Sequence, residues 1–478
     1  MHDYDLICIG CGPAGEKAAT QASYYGYRVA IVERNVRPGG AMVNTGTIPS
    51  KALRETALLC SAFHRRPLPG MNFRINHAFS MNKFMARRHL IELQEHDRIE
   101  ASFDRHGITI IHGEGRLVDP HTVAVTDANG NERTISASNI LITTGSSPLR
   151  PEHIPFDDRN VVDADSILTL DHVPSSLVIV GGGVIGTEYA SMFAEIETNV
   201  TLVHHGAEIL SFLDGECRER LVSSMKWQGV NFVLETTVDE VRVDKLGLVH
   251  VSLSDGEKLE ADTLLWAAGR QSNTRGLGVE EIGVTMGDRG LIRVDEQYRT
   301  NIPSIYAAGD VIGFPALAAT SMEQGRIAAC SMFNIDFKTK LASTTPIGIY
   351  SIPAISMVGK TTEQARTEGY DIVIGRAEYR YNVRGRMLGD EEGLLKCVFD
   401  RHSRELLGAT IVGEDATELI HLAQSAISHH AGIDYFINAC FNYPSLSELF
   451  KYAAYSALQA MAREDAASPA SDHRATAA

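Results

Sequence analysis

The feature that most constrains this chain is a glycine loop that occurs twice. Tyr4 to Ile9 reads as a short buried strand and runs into Gly10-x-Gly12-x-x-Gly15. An Ala-rich helical stretch follows from Glu16 to Tyr25, then a second strand from Arg28 to Val32, ending on Glu33. Gly10 permits the tight turn, Gly12 lets the backbone approach a pyrophosphate, and Gly15 lets helix and strand pack closely. The helix N-terminus then offers unpaired N–H groups and a partial positive charge to the phosphates. Glu33 stands where a carboxylate accepts from the hydroxyls of an adenosine ribose. A lone glycine fingerprint often marks only a turn, but with strand, helix, second strand and acid in register it reads as a dinucleotide-binding unit.

The pattern recurs 171 positions later. Leu177 to Val180 precedes Gly181-x-Gly183-x-x-Gly186, followed by a helical stretch from Thr187 and a strand from Val200 to Val203. At the same offset Glu33 falls on His204, which His205 follows. An acid there repels a 2′-phosphate and an imidazole does not, so the second site is expected to admit NADP(H). A second reading, in which His204 is a plain surface residue and the preference is set elsewhere, stays open.

Two nucleotide folds in one chain commonly mean a flavin in one and a nicotinamide cofactor in the other. The strand Ile140 to Ile142 enters the turn Thr143-Thr144-Gly145-Ser146, which would close the first fold. Leu264 to Trp266 leads into Ala267-Ala268-Gly269-Arg270, which would close the second. Ile305 to Ala308 ends on Gly309-Asp310, an acid placed to accept from ribityl hydroxyls. The small-residue stretch Ala316 to Ala329 reads as a helix whose N-terminus favours negative charge beside it.

Composition narrows the remaining choices. A length of 478 residues allows about three domains. The net charge of −16 argues against nucleic acid or anionic lipid as partners, though local basic pockets stay compatible with it. No apolar run reaches the ~18 residues of a membrane span. The N-terminus lacks the basic stretch of a signal peptide, so a cytoplasmic chain is expected. Seven cysteines, odd in number and scattered, do not form a secreted disulfide framework.

Taken together, Gly10–Gly15, Glu33, Gly39-Gly40, Ile48-Pro49-Ser50-Lys51, Thr144-Gly145-Ser146, Gly181–Gly186, Ala268-Gly269-Arg270 and Tyr306–Asp310 resemble the flavin-dependent pyridine nucleotide-disulfide oxidoreductase family, over about residues 1–460. Gly46–Arg54, Val311–Gly325 and Phe441–Pro444 are most similar to its transhydrogenase branch. The resemblance implies an α/β chain with two Rossmann-like dinucleotide-binding domains plus an α+β C-terminal dimerisation domain. Residues 1–150 and 272–345 would form the FAD domain, 151–271 the NAD(P) domain and 346–463 the interface of a homodimer or higher oligomer. The tail 464–478, poor in bulky apolar residues, is expected to be disordered. The resemblance also implies FAD as cofactor and NAD(P)(H) as substrates. It places Lys51 near the flavin N5 with Glu188 as its ion-pair partner. It adds Arg34, Gly115 and Ala318 to the cofactor contacts, beside Gly10, Gly12, Gly15, Glu33, Lys51, Thr144, Gly145, Gly181, Gly183, Gly186, His204, Gly269, Arg270 and Asp310.

The departures from the family are as informative. Where its Cys-x4-Cys pair stands, this chain has Met42 and Thr47. A thioether forms no thiolate, and a hydroxyl near neutral pH is a poor nucleophile toward sulfur. The family's acid–base His before a Pro is here Tyr443 before Pro444, and its carboxylate partner matches Glu448. A phenol with a reference pKa of about 10 is ill suited to protonate a thiolate at neutral pH. No other cysteines replace the pair. Cys8 and Cys11 would lie ~10 Å apart at the end of an extended strand. Cys60, 13 residues along a helix from Thr47, would lie ~20 Å away. Cys217, Cys330, Cys397 and Cys440 read as core residues, and His429-His430 as helix surface rather than a metal site. The expectation is hydride transfer between NADPH and NAD+ by a ping-pong route without a redox disulfide. An NAD(P)H oxidase or quinone diaphorase stays open as the alternative. The intact glycine loops speak against a non-catalytic flavoprotein.

Overall fold

The computed structural model describes residues 2–65 and 85–467. The chain divides into two compact units, Met1–Thr56 with Asn76–Gly181 and Val238–Ala342, and Ala57–Ile75 with Gly182–Thr237 and Ser343–Ala478.

The first unit is built on a seven-stranded sheet. β1 (Tyr4–Ile9) has parallel neighbours on both sides, β2 (Val29–Glu33) and the long β6 (Glu132–Ile142). Its residues Leu6, Ile7 and Cys8 are fully buried, the apolar run of a strand covered on both faces. β3 (Thr109–His112) extends the sheet beyond β2, and the strand Ile305–Ala307 pairs parallel to β6. β4 (Glu114–Asp119) and β5 (Thr122–Thr126) add an antiparallel meander against β6. α1 (Pro13–Ser23) returns the chain from β1 to β2 and packs on the helix Ala318–Met332. The approach is close: a Cβ on Gly325 would sit 2.1 Å from the Ala14 carbonyl oxygen. The same unit holds a parallel trio, with Thr263–Trp266 between Ser176–Val180 and Val161–Asp163, and an antiparallel meander over Val238–Ala261.

In the second unit a five-stranded antiparallel sheet runs in the order Ile347–Ile349, Ile355–Gly359, Leu406–Val412, Leu394–Asp400, Ile372–Glu378. The helices Ala416–Ser428 and Leu449–Ala467 cover it around fully buried Phe399, Phe436 and Phe450. The last helix continues through 464–467, four residues into the stretch expected to be disordered, while 468–478 lie outside the described residues.

A buried ionic network ties this sheet to the helix Gly215–Trp227. Lys396 is 5% exposed, and its Nζ lies 2.8 Å from Asp214 and 3.0 Å from Glu216. Asp214 caps the helix and also accepts from the Thr362 hydroxyl at 2.8 Å. Burial works against its charge, but Lys396 and Thr362 outweigh that and hold the carboxyl below the usual range. Its contribution to stability is therefore complete above the ordinary carboxylate pKa and is lost as pH falls through the lowered one. Lys396→Met is expected to cost about 3 kcal/mol, because it leaves Asp214 charged and buried without its cation. Denaturant titration at pH 7 measures this, and at acid pH the deficit should shrink as Asp214 takes up a proton. A loss under 1 kcal/mol at pH 7 would reject the network as a stabilising element.

Candidate functional site

In the first glycine loop the backbone dictates the residue types. Gly10 has φ +105°, and a Cβ there would lie 2.5 Å from the Thr143 carbonyl oxygen. A Cβ on Gly15 would lie 2.2 Å from the Gly10 carbonyl, and one on Gly40 would lie 2.6 Å from the Gly12 Cα. Gly12 differs: a Cβ there meets nothing nearer than 4.0 Å, so the loop opens at this residue. Gly12 is also the N-cap of α1, in extended backbone with no side-chain cap, and Pro13 follows at the first helical position. The first-turn N–H groups thus face an open cradle, the arrangement that receives a pyrophosphate.

Glu33 is buried at the end of β2. Its Oε2 accepts from the Cys11 N–H at 2.7 Å and its Oε1 from the Asn35 N–H at 2.8 Å. Each oxygen retains a lone pair for a hydroxyl. Arg34 beside it is exposed. Gly115 in β4 has a packing reason as well, since a Cβ would press to 3.0 Å on Ile9. Beyond β6, the Thr144 hydroxyl oxygen is buried with no hydrogen-bond partner. An orphaned hydroxyl and an open glycine floor in one loop system fit a polar ligand lying across it.

A chain of hydrogen bonds links three further positions. The Ser146 hydroxyl donates to Asp310 at 2.8 Å and accepts from Arg270 Nε at 2.8 Å, while a second Arg270 nitrogen donates to the Ser146 carbonyl at 2.7 Å. Asn273 Nδ2 donates to the Thr144 carbonyl at 2.9 Å, and its N–H donates to the carbonyl of Gly145, which has φ +68°. Sequence reasoning singled out Arg270 and Asp310 but missed the bridging role of Ser146 and missed Asn273. No local pattern announces contacts that close over more than a hundred residues. Ala318 opens the helix Ala318–Met332, which has no side-chain cap.

The second loop repeats the first in geometry. Gly183 is the N-cap of the helix Val184–Glu195 with φ −82° and ψ −172°, against −76° and −175° at Gly12. A Cβ on Gly183 would meet nothing within 4 Å, whereas one on Gly181, at φ +117°, would lie 2.7 Å from the Ala267 carbonyl. Gly186 is buried in the helix, and Gly269, at φ +118°, accepts at its carbonyl from the Leu149 N–H. His204 is half-buried beneath the loop, where its Nδ1 accepts from the Gly182 N–H at 3.2 Å. Burial and then the neighbouring His205 push its pKa down. The neutral form is therefore favoured, and unlike a carboxylate the ring has no negative charge to repel a phosphate.

Lys51 lies in the helix Thr47–Arg65, its Nζ 3.4 Å from the Ser50 hydroxyl. Glu188 is 4% exposed and accepts from the Tyr350 N–H at 2.8 Å. Met42 is buried in the helix Gly40–Asn44, and Thr47 opens the helix that carries Cys60. All seven cysteines are unpaired. Burial raises the thiols of Cys8 and Cys11 well above their ordinary pKa. Tyr443 is 70% exposed, and Glu448 accepts from Tyr452 at 3.4 Å. Among the described residues no cluster of His, Cys, Asp and Glu is fit to hold a metal ion, and no helix is long and apolar enough to cross a membrane.

Comparison with known proteins shows the family. The family model of the pyridine nucleotide-disulphide oxidoreductases matches residues 4–325, and the model of their dimerisation domain matches 345–454. The chain is 41% identical over 462 residues to the soluble pyridine nucleotide transhydrogenase of Mycobacterium bovis (strain BCG / Pasteur 1173P2), covering 96% of this chain and 98% of the relative. To that of Pectobacterium atrosepticum it is 38% identical over 460 residues, covering 95% and 98%. Among solved structures, LpdA from Mycobacterium tuberculosis superposes with a TM-score of 0.87 at 27% identity, over 94% of this chain and 99% of that one. The HOCl-induced flavoprotein disulfide reductase RclA from Escherichia coli gives a TM-score of 0.83 at 27% identity, over 93% and 98%.

Proposed function

The chain belongs to the pyridine nucleotide-disulphide oxidoreductases, and from that premise we propose that it is an FAD-dependent transhydrogenase. The net reaction is NADPH + NAD+ → NADP+ + NADH, run as a ping-pong exchange without a redox disulfide. The observation that carries this reading is a mismatch: both dinucleotide loops are intact, yet Met42 and Thr47 occupy the positions of the family's cysteine pair. Tyr443 in place of the acid–base histidine is consistent, since a reaction without a leaving thiolate needs no acid for it.

Bound FAD supplies hydride acceptance and return, and the protein supplies position and charge. The first loop binds the FAD pyrophosphate at Gly12, with Glu33 on the adenosine ribose and Asp310, held by Ser146 and Arg270, on the ribityl chain. The second loop receives each nicotinamide nucleotide in turn. Neutral His204 makes that loop tolerant of a 2′-phosphate, as a pocket serving both NADPH and NAD+ requires. Lys51, with Glu188 as its ion-pair partner, would hold positive charge beside the bound flavin. The C-terminal sheet forms a homodimer interface.

Anaerobic stopped-flow mixing tests the reading. NADPH should bleach the oxidised-flavin absorbance, and NAD+ added next should restore it within the time of a turnover while NADH appears. Restoration only by oxygen or a quinone would replace the proposal with an oxidase or diaphorase. No bleaching by either reduced nucleotide would reject a redox role.

A further inference from the structure

A chain with a net charge of −16 has few places where cations outnumber the acids around them. One is a cavity of about 210 Å3 in the first unit, where α1 meets the helices Ala86–His106 and Ala318–Met332. Lys17, Arg98, Arg105 and Arg326 line it together with Gln21 and His106, and no Asp or Glu does. Helical spacing puts them there: Lys17 and Gln21 are one turn apart on α1, and Arg98 and Arg105 two turns apart on their helix.

The acids behind this lining offset its charge only in part. Glu16, 1% exposed, lies 2.7 Å from Lys17 and 3.5 Å from Arg98. Glu95 lies 2.9 Å from Arg98, and Glu323 is shared between Arg326 and Lys338. Arg105 has no ion-pair partner among the described residues. Gln21, 7% exposed, adds its amide to the lining. His106 commits Nδ1 to the Ser102 carbonyl at 2.6 Å, which leaves Nε2 uncommitted.

We propose that this cavity binds the phosphate chain of a small polyphosphate anion. Guanidinium forks match phosphate oxygens two at a time, and three arginines with a lysine suit two or three linked phosphates better than a single carboxylate. The cavity is smaller than the roughly 300 Å3 at which sites for drug-sized ligands begin, so a nucleoside body would stay outside. Tyr24, 64% exposed at the rim, offers such a base a face. None of the lining residues belongs to either glycine loop, so the site is separate from those that hold FAD and the nicotinamide nucleotides.

Calorimetric titration of the FAD-loaded protein with sodium tripolyphosphate, under saturating NADP+, tests this. One site should bind, weakening as salt rises. Arg105→Ala with Arg326→Ala should lower the affinity about tenfold or more while leaving FAD content and the transhydrogenation rate unchanged. The exposed Arg105→Ala alone guards against a folding defect and should show a smaller loss in the same direction. ATP titrated in parallel identifies the source: equal or tighter binding assigns a nucleotide tail, weaker binding a free polyphosphate, and both support the site. No binding to the wild type, unchanged binding to the double variant, or full displacement by NADP+ would overturn it.

Discussion

Gly10→Ala should purify without flavin. The residue has φ +105°, and the added methyl would lie 2.5 Å from the Thr143 carbonyl oxygen and 2.9 Å from its carbon. Both are backbone atoms of the turn beyond β6, so no side chain can swing aside. Relief requires moving β1 away from that turn. The same turn is held by the Thr143 N–H to the Ile9 carbonyl at 2.9 Å and by the Thr143 hydroxyl to the Gly10 carbonyl at 2.8 Å. The floor proposed to receive the pyrophosphate would then be lost along with the turn. Gly107→Ala is the informative control. Gly107 ends the helix Ala86–His106 at φ +63°, and an added methyl would meet nothing within 4 Å, so only left-handed strain of about 1–2 kcal/mol applies. Flavin absorbance per protein, with thermal midpoint, separates the two. Full flavin content in Gly10→Ala would remove the first loop from the cofactor site.

What the sequence made legible was local or repeated. The strand, loop, helix and second strand around Gly10 and again around Gly181 lie where the spacing puts them, because glycine positions and apolar runs are short-range signals. From the sequence Glu418 to His430 and Ser447 to Arg463 read as helices, and they form as Ala416–Ser428 and Leu449–Ala467. α1 starts at Pro13 rather than Glu16, since proline is pre-organised for a first helical turn. The run from Ile349 to Val358, which reads as one strand, is two, Ile347–Ile349 and Ile355–Gly359. Pro353 lies between them and has no N–H for the ladder. Contacts assembled by the sheet were not legible. Ser146 meets Asp310 and Arg270 only because β6 and its neighbours align, and Gln21 and Arg105 line one cavity only because their two helices pack together. A net charge summed over the chain hides such a pocket.

Lys51→Ala is the sharpest test of the chemistry, because it should part binding from reaction. Lys51 lies outside the loop that carries Gly12 and Glu33, so the variant should retain its flavin. If the ammonium stands at the flavin N5 it stabilises charge that builds there as hydride arrives. Removing one such preorganised group from an enclosed site lowers rates by about 100-fold. Anaerobic mixing with NADPH should therefore show bleaching slowed by about that factor, with the nucleotide dependence little changed. Lys51→Arg should recover part of the rate by restoring the charge without the compact ammonium geometry. Glu188→Gln examines the other half of the pair. Its amide oxygen can still accept from the Tyr350 N–H, so the fold persists while the charge proposed to pair with Lys51 is gone. A smaller slowing in the same direction is expected. Should bleaching keep its wild-type rate in Lys51→Ala, the lysine is a helix residue with no part in hydride transfer.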